Sequence, residues 1–439
     1  MMKRWIAILL TVLMCFCIAG CSSDDDDDYK SSSRRSRNKS SDSKQQDDED
    51  DEDDEEDDEE DDEEDDDFFE EIGFTGEIGS FEIENGILKK YKGSETDVVI
   101  PDKVNSIGMF AFYDNRTMVT VEIPDSVTSI GGNAFQQCTS LTTVKIPNSV
   151  KKIGSEAFTW CEKLTDVELP DSLTSISYSL FFGCKSLTAI TIPSSVTSIG
   201  ADAFYDCSGL KEIEIPDSVT SIGATAFAGC HSLAVIKIPT GVTSIGCSAF
   251  NGTPWLEDQL SQNPYVIVNN ILIRASETEN AVIPDGVVAI NDAFPGYEHM
   301  YTVKIPDSVT AIGKDAFAGC SRLSEITIPS DVTSIGPGAF AGCRTLQEFV
   351  IPAGITTLEI GTFRGCKLLT SIVIPEGVTK IGQSVFAGCT NLTEVIIPAG
   401  VTDIDLDVFA DCPNVTVVTP AGSAAAQYCE KKGVKYREE

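Results

Sequence analysis

A proline recurs every 23 residues through most of this chain, and this period constrains the fold more than any other feature. A fixed period of this length is the signature of a solenoid. One unit runs from Leu141 to Cys161, and the next opens at Leu164 with the same apolar slots. A single unit has about seven apolar side chains, too few to offset the entropy of ordering about 23 residues, so neighbouring units must stack to form a core. The recurring prolines are Pro101, Pro124, Pro147, Pro170, Pro193, Pro216, Pro239, Pro306, Pro329, Pro352, Pro375 and Pro398.

The spacing within a unit predicts how each coil is built. In the segment from Val144 to Pro147, the two apolar residues are two apart and therefore lie on one face of a short strand. The proline ends that strand because it has no N–H for the ladder. The Val-x-x-Ile-Gly that follows starts a second side, and the next Ala-Phe pair fits one helical turn.

A phenylalanine recurs once per coil and predicts the centre of the core. If the coils stack in register, these rings form one continuous aromatic spine. Their number predicts thirteen coils. The column consists of Phe112, Phe135, Phe158, Phe181, Phe204, Phe227, Phe250, Phe294, Phe317, Phe340, Phe363, Phe386 and Phe409.

The repeat, Leu-x-x-Ile-x-Ile-Pro-x-x-Val-x-x-Ile-Gly-x-x-Ala-Phe-x-x-Cys, resembles that of the BspA-like leucine-rich-repeat surface proteins of bacteria over residues 81 to 439. The resemblance implies a strand-rich α/β leucine-rich-repeat solenoid, wound as a right-handed superhelix with short parallel strands. It also implies adhesion or ligand binding at the cell surface and no catalytic residues. The sequence has no Gly-x-Ser-x-Gly, no His-Glu-x-x-His and no phosphate loop, so we expect neither an enzyme nor a cofactor.

Residues 1–20 resemble a lipoprotein signal peptide. Lys3 and Arg4 precede an apolar run from Trp5 to Ile18, which is too short to span a bilayer. The segment Ile18-Ala19-Gly20-Cys21 looks like a lipobox, whose cysteine is lipidated. We therefore expect an extracytoplasmic protein anchored at Cys21 to the bacterial membrane or cell surface, with plain cleavage or an uncleaved anchor as alternatives.

Residues 21–71 are predicted to be a disordered acidic linker. The run from Asp47 to Asp67 consists entirely of carboxylates, which repel one another and offer no core-forming side chain. The linker is interpreted as a spacer that holds the solenoid off the membrane. A dedicated Ca²⁺ site would need an Asp-x-Asp-x-Asp-Gly loop, which the run lacks, so weak non-specific divalent binding is the more plausible alternative. A formal net charge of −38 argues against nucleic acid as a partner.

An interruption divides the repeats into two arrays. The stretch after Tyr265 parallels the one after Phe81, and both are predicted to be hairpins with turns at Asn85-Gly86 and Asn269-Asn270. The predicted parts are a first array with an N-terminal hairpin cap at 72–250, an interrupted coil with a hairpin at 251–284, a second array at 285–420 and a C-terminal cap at 421–439. The cap is expected to contain a short helix-like segment between Ala421 and Lys432.

Ten cysteines follow the phenylalanines at a fixed distance of three residues. In-register side chains point the same way rather than toward each other, so we expect reduced thiols in the core and no disulfides. Asn115, Thr253 and Tyr297 occupy the same slot in other coils, which indicates a modest buried side chain. A metal ladder would need regular His or acidic partners, and none recur. The column comprises Cys138, Cys161, Cys184, Cys207, Cys230, Cys320, Cys343, Cys366, Cys389 and Cys412.

The outward strand positions of the second array predict a binding surface. In three adjacent coils the residue before Ile-Pro is apolar, whereas the first array has ordinary charged and polar residues there. An apolar stripe rimmed by carboxylates suits an extracellular protein or glycan ligand. The alternatives are that β-propensity alone filled these positions or that a neighbouring protomer covers them. The predicted function is therefore adhesion through a macromolecular ligand, or, failing that, a structural cell-envelope scaffold. The stripe is Val350, Val373 and Ile396, beside Glu348, Ser371 and Glu394.

Overall fold

Most coils contribute two short strands, and both run parallel to the equivalent strands of neighbouring coils. A computed structural model describes residues 75–438. The first strand of a coil usually has three residues and ends before the Ile-Pro, and the second has two residues and ends before the glycine. Pairing joins residues one period apart, as in Ser198 with Ser221. The predicted parallel strands are confirmed, and the repeat itself sets their register.

The structure has 31 strands and two helices in the described residues. The first strands of the coils, called the long strands below, have three residues each, except β30, which has four. They are β4 Asp97–Val99, β6 Thr120–Glu122, β8 Thr143–Lys145, β10 Asp166–Glu168, β13 Glu212–Glu214, β15 Val235–Lys237, β19 Asn280–Val282, β21 Thr302–Lys304, β23 Glu325–Thr327, β26 Ser371–Val373, β28 Glu394–Ile396 and β30 Thr416–Thr419. The two-residue strands are β5 Ser106–Ile107, β7 Ser129–Ile130, β9 Lys152–Ile153, β11 Ser175–Ile176, β12 Ser198–Ile199, β14 Ser221–Ile222, β16 Ser244–Ile245, β20 Ala289–Ile290, β22 Ala311–Ile312, β24 Ser334–Ile335, β25 Thr357–Leu358, β27 Lys380–Ile381 and β29 Asp403–Ile404.

Two hairpins open the arrays. The first consists of β1 Gly76–Ile78, β2 Phe81–Glu84 and β3 Ile87–Tyr91, and the second of β17 Tyr265–Val268 and β18 Ile271–Ala275. Their turns are Asn85-Gly86 and Asn269-Asn270, and all four residues have positive φ. That geometry matches the right-handed twist of antiparallel strands. Each hairpin then pairs in parallel with the first coil of its array, β3 with β5 and β18 with β20.

The segment around each Ala-Phe pair is a pair of turns, and the expected helical turn is absent from it in the described coils. Alternate amides donate to the next coil: Phe112 N–H donates to Ala134 O at 2.8 Å, and Asn133 N–H to Ser155 O at 3.0 Å. The amides between them close turns within the coil, as Tyr113 N–H does to Phe110 O at 3.1 Å. Two residues per coil lie in the left-handed region, as Asn133 does at φ 56° and Gln137 at φ 62°. The prediction of one helical turn per coil is wrong because bonds between coils satisfy the backbone groups that a helix would use.

The phenylalanines form two stacks rather than one continuous spine. Successive rings lie 4.9–5.8 Å apart within each stack. At the interruption, Phe250 packs on Trp255 and Phe294 packs on Tyr297. The buried apolar residues also fall into two clusters, one ending at Ile271 and the other beginning at Leu272. Since each hairpin unit adds a turn, the solenoid has about 15 turns instead of thirteen.

The two helices lie at the interruption and at the C-terminal end. Helix α1, Pro254–Gln262, begins at an N-cap threonine, Thr253, whose hydroxyl accepts from Leu256 N. Helix α2, Ala424–Lys432, has Ser423 as its N-cap and ends at a left-handed Gly433. Strand β31, Lys435–Glu438, then pairs with β30. The helix-like segment expected within 421–432 is therefore a helix, followed by a strand at the end of the sheet.

The described residues belong to one compact unit. The predicted signal peptide, Cys21 and the whole acidic linker lie outside the described residues. Within residues 75–438 no helix combines the length and apolar character needed to cross a bilayer.

Candidate functional site

The apolar stripe lies on the outer face of the long strands in the second array. Val350 and Val373 are 83% and 58% exposed, which is unusual for aliphatic side chains on a sheet in water. Val373 and Ile396 are direct neighbours across β26 and β28, and Ile396 is half-buried. The three residues therefore face outward along one row, with exposure falling toward the C-terminal end.

Val350 lies on a coil whose long strand is missing. The core slot occupied by Val or Ile in other coils is filled here by Phe349, whose ring packs between Phe340 and Phe363 at 4.8 Å from each. Residues 347–350 form no strand, so the sheet is interrupted at this coil. The larger side chain thus occupies the core slot of a coil that has no long strand, and Val350 beside it is the most exposed residue of the stripe. The coil at 188–191 also lacks its long strand, and no side chain there explains the loss.

The predicted acidic rim is only partly available. Glu348 and Ser371 are exposed, but Glu394 is half-buried, with its Oε2 2.9 Å from Arg437 Nη2 on β31. The row continues from Ile396 to Val418, which is only 3% exposed at the end of the solenoid. The open part of the stripe therefore consists of Val350 and Val373, with Glu348 and Ser371 beside them.

A second surface, which the sequence reasoning missed, lies on the same kind of face in the first array. A groove of about 1520 Å³ runs across the long strands from Asp102 to Lys237. Its lining includes eight carboxylates and two lysines, together with Pro124, Pro147 and Pro193. The sequence contains an indication of this groove, since aspartates follow several of the prolines and add to the charged residues before Ile-Pro. Without those aspartates, the charged residues before Ile-Pro predict only an ordinary solvated face.

The column cysteines have a defined structural role. Each Sγ donates a hydrogen bond to the carbonyl oxygen of the phenylalanine in the preceding coil, over 3.0–3.3 Å, as Cys138 does to Phe112. The ten column cysteines and Cys429 are free thiols. This geometry supports the prediction of reduced core thiols.

The residues that replace cysteine in this column share its ability to donate. Asn115 donates to Gly93 O at 3.5 Å, Thr253 to Phe250 O at 2.7 Å, and Tyr297 to Ala275 O. Each residue in the slot therefore donates a hydrogen bond as well as filling a modest volume, and in the cysteine coils this bond is a second one to a phenylalanine carbonyl that already accepts a backbone amide, as Phe181 O does from Cys184 N–H at 3.1 Å. The expectation based on size alone was incomplete.

Burial makes these thiols poor nucleophiles. Desolvation raises the pKa of Cys138 to about 12, because the thiolate would lose its hydration in the core. Both histidines are exposed; His231 Nδ1 lies 3.1 Å from Gly252 O, and His299 Nδ1 lies 3.2 Å from Glu277 Oε1. Within residues 75–438 no group of three His, Cys, Asp or Glu side chains is arranged to hold a metal ion. The structure thus directs attention to binding surfaces.

Most of the described chain matches a family model described as the BspA type leucine-rich repeat region, in six copies, over residues 82–211, 197–296 and 290–416. No curated protein matches this chain.

Several solved structures are similar in sequence. A leucine-rich cell surface protein from Faecalibacterium prausnitzii A2-165 is 32% identical over 81% of this chain and 97% of its own, with a TM-score of 0.44. A leucine-rich repeat protein from Bacteroides ovatus is 25% identical over 72% of this chain and 82% of its own, with a TM-score of 0.33. A leucine-rich repeat protein of T. pallidum is 27% identical over 54% of this chain and 83% of its own, with a TM-score of 0.29. The relationship rests on sequence identity and coverage.

Proposed function

Because this chain belongs to the BspA-type leucine-rich repeat family, we propose that it is a lipid-anchored surface protein that attaches its cell to a host or neighbouring-cell macromolecule. The coils are wound in a right-handed superhelix, and Cys21 carries the lipid anchor. The ligand is an extracellular protein or glycan. The protein acts by binding rather than by catalysis.

The observation that carries this proposal is the exposure of Val350 and Val373 on adjacent coils. A row of exposed apolar side chains forms a surface that water solvates poorly, so burying this surface in an interface is favourable. Glu348 and Ser371 border the row and can hydrogen-bond to a ligand at its edge. Such a surface has the apolar centre and polar border of a protein interface.

A structural cell-envelope scaffold is the second candidate, and the burial of Val418 favours it. Val418 continues the same row and is already covered at the end of the chain. If another protomer covers Val350 and Val373 in the same way, the stripe is an assembly contact. The two candidates differ in whether a ligand from outside the cell competes for the stripe.

Binding of the full-length protein to an array of extracellular proteins and glycans tests the proposal. The variant Val350→Thr/Val373→Thr removes the exposed part of the stripe without opening a cavity, so its stability should change by about 0.5 kcal/mol or less per site. Its affinity for the ligand found should fall at least about tenfold, or about 1.4 kcal/mol. Ile396→Thr should destabilise the protein more, because that side chain is half-buried.

The matched control is Val99→Thr/Val282→Thr. These valines are 62% and 57% exposed on β4 and β19, away from the stripe, so the control carries the same chemical change. It should bind like the unmodified protein. Equal binding by both variants would move the ligand site elsewhere, and a concentration-dependent oligomer lost only in the stripe variant would favour the scaffold.

A further inference from the structure

The groove of the first array is a continuous concave surface on the long strands. It crosses six coils from the one bearing Glu122 to the one bearing Lys237. At a spacing of about 4.8 Å between paired strands, these coils span about 24 Å. Ala189 stands between Asp166 and Glu212 in one row of the groove, and its short side chain leaves room between the two carboxylates. The groove therefore has the length and depth to hold a polymer segment.

The groove has a large excess of negative charge. Its eight carboxylates and two lysines give a formal charge of −6. Both lysines are already engaged within the groove: Lys145 Nζ lies 3.0 Å from Glu168 Oε2, and Lys237 Nζ lies 2.9 Å from Glu214 Oε2.

The remaining six carboxylates have no ion-pair partner in the described chain. Glu122, Asp166 and Glu212 are among them, and all three are exposed on strands. Like charges held along a low-dielectric wall produce a field that attracts cations.

The placement of these carboxylates favours an extended ligand over a metal ion. They are distributed along successive coils, and none of the described carboxylates converge in the groups of three that hold a metal ion. An extended polypeptide rises about 3.3 Å per residue, so about seven residues match the 24 Å span. The apolar stripe of the second array offers no comparable excess of charge.

We propose that the groove of the first array binds an extended, lysine- or arginine-rich segment of another protein, about seven residues long, through charge complementarity. This site lies outside the stripe and goes beyond the adhesion surface proposed above. Its cationic ligand makes charge-assisted hydrogen bonds to carboxylates such as Glu122, Asp166 and Glu212.

Site-resolved cross-linking on the full-length protein in detergent tests this proposal. The probe is an eight-residue peptide of alternating Lys and Ala with a terminal photo-cross-linker, and a Glu-Ala peptide serves as the anionic comparison. Peptides cross-linked between residues 102 and 237 are counted separately from those on the acidic run at 47–67. The variant Glu122→Gln/Asp166→Asn/Glu212→Gln removes three charges with little change in shape. The matched control, Glu298→Gln/Asp307→Asn/Glu376→Gln, removes three exposed charges from the second array.

The expected result is saturable cross-linking of the Lys-Ala peptide in the groove, with an apparent Kd at least tenfold weaker in the groove variant and within twofold of normal in the control. The Glu-Ala peptide should not cross-link there. Equal weakening in both variants would reduce the effect to net charge and overturn the proposal, as would unchanged cross-linking in the groove variant. The chain also carries its own basic stretch. If Arg34→Gln/Arg35→Gln/Arg37→Gln raises groove cross-linking tenfold, that stretch is the occupant and an external partner is excluded.

Discussion

Ser248 and Asp292 join the two arrays through a hydrogen bond in which the serine hydroxyl donates to the carboxylate over 2.5 Å. Asn291 strengthens the same junction, since its Nδ2 donates to Ile245 O at 2.5 Å. Asn269 Nδ2 likewise donates to Pro239 O at 2.8 Å and to Val242 O at 2.9 Å. Polar side chains thus bridge the interruption between the two hydrophobic clusters.

Asp292 makes this junction sensitive to pH. The side chain is 7% exposed, and burial raises its pKa from 3.8 to about 6, although the Ser248 hydrogen bond and the nearby Arg274 and Lys314 lower it and Asp315 raises it. The folded protein therefore holds the proton more tightly than the unfolded chain. The contribution of Asp292 to stability falls as pH rises from about 3.8 to about 6, and at pH 7.5 the buried charge costs about 3 kcal/mol.

Asp292→Asn should therefore raise the free energy of unfolding at pH 7.5 by up to about 3 kcal/mol, because the amide still accepts from Ser248 without a charge. Thermal unfolding at pH 7.5 and pH 4 measures the change, and the advantage should shrink at the lower pH. Asp307→Asn, at an exposed site, is the control and should change little. A variant that is less stable than the wild type at pH 7.5 would mean that the carboxylate itself holds the junction together.

The donor requirement of the cysteine column can be tested at one coil. Cys207 Sγ donates to Phe181 O at 3.1 Å. Cys207→Thr keeps a donor, whereas Cys207→Val has nearly the same shape and none, so it leaves Phe181 O with only the bond from Cys184 N–H at 3.1 Å. The valine variant should be less stable than the threonine variant by about 0.5–1.5 kcal/mol in chemical unfolding. Equal stabilities would show that the slot selects for volume alone.

The redox state of the thiols gives a countable outcome. Alkylation of unreduced protein in denaturant should modify the ten column cysteines and Cys429, because these eleven are free thiols. In the native protein the eleven buried ones should react slowly, since burial raises their pKa and blocks access. Mass spectrometry reports the number of adducts in each state. Few adducts in denaturant would indicate disulfides and refute the geometric argument.

The lipid anchor is tested by Cys21→Ala. Acyl chains on this cysteine are the proposed attachment, so the variant should leave the membrane fraction and the detergent phase. Detergent partitioning of both proteins measures this directly. Retention of the variant in the membrane would assign anchoring to the apolar run from Trp5 to Ile18 instead.

The strands could be predicted because their determinants are local. Alternation within Val144 to Pro147 and the missing N–H of the proline act within a few residues, and the period then sets the register. The turn at Ala157-Phe158 could not be predicted in this way. Its preference for a helix is local, but its amides bond to the following coil, as Phe158 N–H does to Leu180 O at 3.0 Å.

The stripe was predictable only as a row of residue types. The packing of Phe349 between Phe340 and Phe363, on the coil of Val350 that lacks a long strand, is a contact that the row of residue types does not show. The loss of Glu394 from the rim depends on Arg437, 43 residues away. The groove also escaped prediction, because its charge belongs to residues from six coils considered together.

The register of the two-residue strands also has a genetic consequence. Ser198, Ser221 and Ser244 pair in sequence at intervals of 23 residues, so each coil presents nearly the same bonding edge to the next. Recombination that deletes or duplicates one whole repeat would join matching edges and shift no register. A gene of this kind can therefore change the reach of its product in steps of one coil, about 4.8 Å, while the hairpins and the C-terminal helix keep the ends closed.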